Sequence, residues 1–251
     1  MSSVRRNMRK ALYVLLTAAL VVSFAFILVA CDKDTTETFE LTSDDIATLN
    51  NAASDSRKLN SLTEVITTET ETSAGKVSTT TTLTLHPNNA VYAERTVIEA
   101  DGNMKKEIFY ISSQNYAYAL YENGSATPSE SIYDSDDANP YGSRSQALEA
   151  LGHNEILKLL ANVTANNQYE ITDNSGTRYY DNDALIRTEY NLSYDDERTE
   201  GTISATVTND VITRLESNSG SNHTIVEYSY ETGDNEFKIL KTEWFAEHPA
   251  P

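Results

Sequence analysis

"EIFYISSQNYAYALYE", residues 107–122, decides how the chain must be layered. Successive side chains of a strand point to opposite faces, so Ile108 and Tyr110 point one way and Phe109 and Ile111 the other. Both faces are apolar, and such a strand cannot leave one of them in water. One face has to meet helices, a ligand, or both. In the next run Tyr116, Tyr118 and Leu120 alternate with Ala117 and Ala119, whose small side chains leave room. Two readings follow. Either a helix packs closely on this face, or Phe109, Ile111, Tyr116, Tyr118 and Leu120 line an apolar groove for a lipid or other hydrophobic ligand.

The neighbouring text supplies both layers. "LTEVITTETETSAGKVSTTTTLTLH", residues 62–86, is two threonine-rich extended runs around Ser73-Ala74-Gly75, a long β-hairpin with Val77, Thr79, Thr81, Leu83 and Leu85 on one face. Residues 90–124 give three more strands, turning at Asp101-Gly102 and near Ser112-Ser113. Residues 123–142 are polar, contain Pro128 and Pro140, and read as an irregular excursion. Two helices are expected. One covers about 43–59, with Thr42 or Ser43 as cap and Ile46, Leu49 and Ala53 at helical spacing. The other covers 143–163, capped by Ser143, with Ala147, Leu148, Leu151, Ile156, Leu159 and Leu160 along one stripe.

From Gln168 onward about six further strands are expected, separated by Asp173–Gly176, Asn209-Asp210, Ser219-Gly220 and Gly233-Asp234. The expected fold class is α+β: a large curved antiparallel sheet, a half-open barrel, with helices covering its concave face. Residues 42–251 form one domain on this reading.

What precedes that domain fixes its place. Arg5, Arg6, Arg9 and Lys10 are followed by the uncharged, apolar run Ala11–Ala30, the parts of a signal peptide. The run is also long enough to span a ~30 Å hydrocarbon layer, so length alone does not separate a cleaved leader from a retained anchor. Leu28-Val29-Ala30-Cys31 does, because it resembles the bacterial lipobox. That resemblance implies cleavage after residue 30 and a diacylglyceryl group on Cys31, the only cysteine in the chain. Residues 31–41 would then be the lipidated N-terminus and a tether, placing the protein on the outer face of the bacterial cytoplasmic membrane. Two or more acyl chains anchor stably where one binds marginally.

Without the leader's four cations, residues 31–251 carry 15 basic against 38 acidic side chains, a formal −23. That excess works against nucleic acid and anionic headgroups as partners. Of 15 tyrosines only Tyr13 lies in the leader, and Tyr with abundant Thr suits pleated, half-buried surfaces.

The element order, the export signal and the closing segment "DVITRLESNSGSNHTIVEYSYETGDNEF", which looks like a late hairpin ending in a Tyr-bearing strand, together resemble LolA-like lipoprotein carriers and LprG-type envelope lipoproteins. The resemblance implies an incomplete barrel around a cavity for acyl chains, lidded by helices. Here "KVSTTTTLTLH" and "TISATVT" put Thr and Ser where a carrier would show Leu, Val and Phe, so the cavity is expected to be small, closed or polar.

No catalytic set emerges. His86, His153, His223 and His248 are scattered, with none at ligand spacing to another His or to Cys31. There is no Gly-x-Ser-x-Gly elbow and no phosphate-cradling glycine loop. The acidic loops "YDSDDANPYG" and "SYDDERTEG" lack the EF-hand order, and Asp134, Asp136 and Asp137 are the first candidates should calcium bind. The expectation is therefore a non-enzymatic, cofactor-free envelope protein that binds a lipid or amphiphile between sheet and helices, or else a module for a protein or glycan partner.

Overall fold

The computed structural model describes residues 34–57, 62–86, 90–111, 116–125, 127–133, 143–165, 169–195 and 200–230. In chain order they form β1 (Thr35–Phe39), α1 (Ser43–Ser56), β2 (Leu62–Thr72), β3 (Gly75–Leu85), β4 (Val91–Ile98), β5 (Met104–Ile111), β6 (Tyr116–Glu122), β7 (Glu130–Tyr133), α2 (Arg144–Ala150), α3 (Glu155–Ala165), β8 (Glu170–Asp181), β9 (Ala184–Asp195), β10 (Glu200–Thr208), β11 (Val211–Ser219) and β12 (Asn222–Ser229).

All twelve strands belong to one antiparallel sheet ordered β1-β8-β9-β10-β11-β12-β2-β3-β4-β5-β6-β7. β2 to β7 pair in sequence order, as do β8 to β12, and two longer-range pairings complete the sheet. β12 pairs with β2, and β1 pairs with β8. The sheet is open: β1 and β7 are its edges. The α+β class with a large antiparallel sheet is therefore as expected.

Local chemistry explains the helices. Thr42 and Asp45 form a reciprocal capping box at the start of α1, with Asp45 N–H donating to Thr42 Oγ1 (3.3 Å) and Thr42 N–H to Asp45 Oδ2 (3.0 Å). α1 buries Leu49, Ala52 and Ala53, and α3 buries Leu157, Leu160 and Val163. Both pack on the same face of the sheet, sharing a core with Leu62, Leu83, Phe109, Leu192, Ile203, Leu215 and Val226.

Residues 107–111 behave as their alternation demands. Phe109 and Ile111 belong to the helix-side core, while Ile108 and Tyr110 join Ala90, Tyr92 and Ala117 in a second buried cluster on the opposite face. Ala117, one of the two alanines expected to admit a helix, thus lies on the face away from the helices.

Four details differ from the sequence reading. The helix expected over 143–163 is two helices, broken at Leu151–Asn154, where Gly152 (φ 81°) and Asn154 (φ 58°) adopt left-handed backbone. Asp173–Gly176 is not a turn but the interior of β8, while the turn falls at Asn182-Asp183, both with positive φ. A strand, β7, lies within the excursion expected at 123–142. Within the expected tether 31–41, Thr35–Phe39 is strand β1, seated on β8. Phe39 lies directly over Gly176, where a Cβ would come within 2.3 Å of its ring, and Arg178 stacks on that ring at 3.8 Å. The turns expected at Ser112-Ser113 and Gly233-Asp234 and the strand at 236–245 lie outside the described residues, as do Leu28, Val29, Ala30 and Cys31.

Candidate functional site

The register of four central strands sets one row of residues against the next. Leu215, Val226 and Ile66 face one another across β11, β12 and β2, with Thr81 opposite Ile66 on β3. One step along the same face the row becomes Ser217, Thr224, Thr68 and Thr79, and one step further it begins Ser219, Asn222 and Thr70. On β11, β12 and β2 the face thus changes from aliphatic to polar at one level, and on β3 the change comes one row earlier, between Leu83 and Thr81. The hydroxyls are linked across strands: Thr68 and Thr224 Oγ1 atoms lie 3.2 Å apart, and Thr70 donates to Asn222 Oδ1 at 2.9 Å.

Above this polar floor stands the α2–α3 elbow. Together they enclose a cleft of about 450 Å³, within the range of small-molecule sites. Its second wall is different in kind: Leu151, Ile156 and Leu159 from the elbow and α3, with Ile66 at the inner end. Ile156 and Leu159 are half-buried and reach the cleft because the helix break shifts the stripe, so that Leu157, Leu160 and Val163 take the core positions of α3. Arg95 closes one side. Its Nε donates to Glu107 at 2.5 Å, its Nη1 to the carbonyl of Ala150 at 3.4 Å, and its guanidinium lies 5.7 Å from the Phe109 ring centre.

The elbow is pinned from below by a pair that the sequence reading missed. Glu64 is fully buried in β2, and its Oε2 lies 2.6 Å from His153 Nδ1 while its Oε1 accepts from Asn154 N–H at 3.3 Å. The Asn154 amide nitrogen is 2.8 Å from His153 Nε2. With Nδ1–H donating its hydrogen bond to the carboxylate, the neutral ring's Nε2 is left to accept from that amide. Burial, and secondarily the Glu64 charge, push the Tyr228 hydroxyl far above the ordinary phenol range, so it stays protonated. One signal was present: Glu64 occupies a core position in the alternation Leu62-x-Glu64-x-Ile66, and a carboxylate there requires a buried partner.

The five apolar candidates are placed otherwise than as a groove lining. Phe109, Ile111 and Tyr118 are packed in the core and Leu120 lies partly buried against it, while the side chain of Tyr116 lies outside the described residues. Phe109 and Tyr118 nevertheless support the cleft at one remove, the first beneath Arg95 and the second through its hydroxyl on Glu107 at 3.2 Å. Asp134, Asp136 and Asp137 also lie outside the described residues. Among the described residues no group of three or more His, Cys, Asp and Glu is arranged to hold a metal ion, and no helix is long and apolar enough to cross a membrane.

No family model matches the chain, and no curated protein matches it. Solved structures are similar at a distance. LprF from Mycobacterium bovis is 7% identical with a TM-score of 0.41, covering 76% of this chain and 94% of that one. A DUF1329 family protein from Desulfovibrio piger is 11% identical with a TM-score of 0.29, covering 76% and 94%. A LolA superfamily protein from Nitrosomonas europaea is 10% identical with a TM-score of 0.25, covering 75% and 92%. At such values the likenesses carry no argument, and function is read from the cleft.

Proposed function

We propose that this chain is a bacterial envelope lipoprotein, held on the outer face of the cytoplasmic membrane by acyl groups on Cys31, that binds an amphiphile between its sheet and its helices. The observation that carries the binding half is the two-walled cleft: an aliphatic wall of Ile156 and Leu159 facing a floor of Thr68, Thr70, Thr79, Ser217 and Thr224. A ligand with one apolar and one hydrogen-bonding side satisfies both, whereas a bare alkyl chain would strip water from the hydroxyl floor and offer its polar atoms nothing in return. The same cleft carries a cation, Arg95, and two carboxylates, Glu149 and Glu155, so a polar headgroup has charged neighbours of both signs. The role is binding and not catalysis: His153, the group best suited to acid-base chemistry, has Glu64 on one ring nitrogen and Asn154 on the other.

Mass spectrometry of an organic extract of the chain from Cys31 onward, purified without detergent, tests the reading. The expected result is one chemical class of amphiphile at near-stoichiometric amount. An extract free of lipid, together with a protein partner recovered in equal amount, contradicts it and favours an interaction module.

A further inference from the structure

Three large apolar side chains are strongly exposed among the described residues: Ile98, Leu185 and Ile186, at 46%, 54% and 45%. Two of them are consecutive and sit at the tip of the β8–β9 hairpin, beside its Asn182-Asp183 turn. Their place relative to the N-terminus is fixed by register. Thr35 is opposite Tyr180, and Tyr180 is opposite Leu185, so Leu185 lies two strand spacings, or roughly 10 Å, from Thr35. Cys31 is three peptide units before Asp34, a reach of at most about 11 Å. Within the expected tether, Thr35–Phe39 is held in strand β1 and adds no slack of its own.

We infer that the tip of the β8–β9 hairpin is a membrane-contact site, in which Leu185 and Ile186 enter the apolar edge of the bilayer to which Cys31 is anchored. The inference rests on the lipid-anchor reading of Cys31. The β8–β9 register slips by one residue between Tyr179 and Tyr180, so Ile186 is the extra residue of a bulge beside Leu185, and both side chains stand exposed at the tip. Behind them stand groups suited to the headgroup level: Tyr179, with the Arg187 guanidinium 4.0 Å from its ring centre, and Tyr180, bonded to Glu37 on β1 at 3.1 Å. Asp181 and Asp183 at the turn offset the nearby arginines, so the contact is apolar and needs no anionic lipid.

The contact also orients the molecule. The hairpin tip lies at the rim of the sheet where β8 ends, whereas the hydroxyl rows of the cleft run toward the β11–β12 and β2–β3 turns at the other rim. With the tip in the bilayer, the polar end of the cleft is directed away from that membrane.

The test uses the chain from Cys31 onward, which contains every described element, coupled through the Cys31 thiol to a maleimide lipid in phosphatidylcholine vesicles. With Trp244 replaced by Phe, single tryptophans are introduced as Leu185→Trp, Ile186→Trp and, at the far rim, Ile98→Trp. Insertion of roughly 5–10 Å brings an indole within range of brominated acyl chains. Most of the emission is expected to be lost at 185 and 186 and none at 98, with no further change when anionic lipid is added. Unquenched emission at 185 and 186, or equal quenching at all three sites, overturns the inference. Chemical coupling supplies the anchor in that experiment. A cellular chain whose Cys31 carries no acyl mass therefore overturns the anchor reading, and with it this inference, and is distinguished from a tip that fails to insert.

Discussion

The two halves of β2 share one face of one strand and do different work. Leu62, Glu64 and Ile66 lie under the helices and are buried, while Thr68 and Thr70 lie beyond the elbow and form the cleft floor. The same division runs through β3, where Leu83 and Leu85 give way to Thr81 and Thr79, and through β12, where Tyr228 and Val226 give way to Thr224 and Asn222. Alternation alone says which side chains share a face. Whether that face is core or cleft depends on where the covering helices stop, and the residue type changes at that level.

Substitutions that should separate the halves run from large effects to small. His153→Ala leaves a buried carboxylate without its principal partner, an expected loss of roughly 3–5 kcal/mol, measured as a lower denaturant midpoint. The double change Glu64→Leu with His153→Leu should recover most of it. On the core side Leu83→Ala is expected to cost about 2–5 kcal/mol, whereas on the floor side Thr79→Val should change stability by less than about 1 kcal/mol. Equal losses at the two positions of β3 would erase the distinction between core and floor. Loss of the α1 cap through Thr42→Ala should cost about 1 kcal/mol, seen as a lower melting temperature.

Acid sharpens the comparison from the surface. Hydrogen bonds from Thr42 and the nearby Arg178 hold Asp45 below the usual carboxylate range against a smaller effect of burial. Burial raises Glu94 and Glu216, but hydrogen bonds from Lys106 and Tyr92 to the first, and from His223 and Arg214 to the second, prevail and lower both. A depressed carboxylate contributes stability that is complete above its unfolded pKa and lost as pH falls through its folded value. The denaturation midpoint should therefore be level above about pH 5 and decline below about pH 4. A midpoint that rises on acidification contradicts these assignments.

Much of the fold was legible because strands and turns are local. The two-residue turn at Asn209-Asp210, the longer turn containing Asp101-Gly102, the caps Thr42 and Ser143, and the double-faced run Ile108–Ile111 all stand where their chemistry puts them. The elbow was hidden because the apolar stripe from Ala147 to Leu160 can be read as unbroken, and only the left-handed positions Gly152 and Asn154 interrupt it. That single break turns Ile156 and Leu159 to the cleft and lowers His153 onto Glu64, a contact 89 residues apart in sequence. Threonine in the strands pointed to a polar cavity. Which threonines line it followed only from the pairing of β12 with β2, a pairing that no local pattern specifies.

The central claim is that the ligand lies between the hydroxyl floor and the α3 wall. The most direct measurement compares ligand recovered by organic extraction from the wild-type chain and from a chain whose cleft is filled by Thr79→Phe with Thr224→Phe. An unchanged denaturant midpoint with the amphiphile lost from the filled variant is the predicted result. The same amphiphile retained at the wild-type amount would place its site elsewhere and contradict the account.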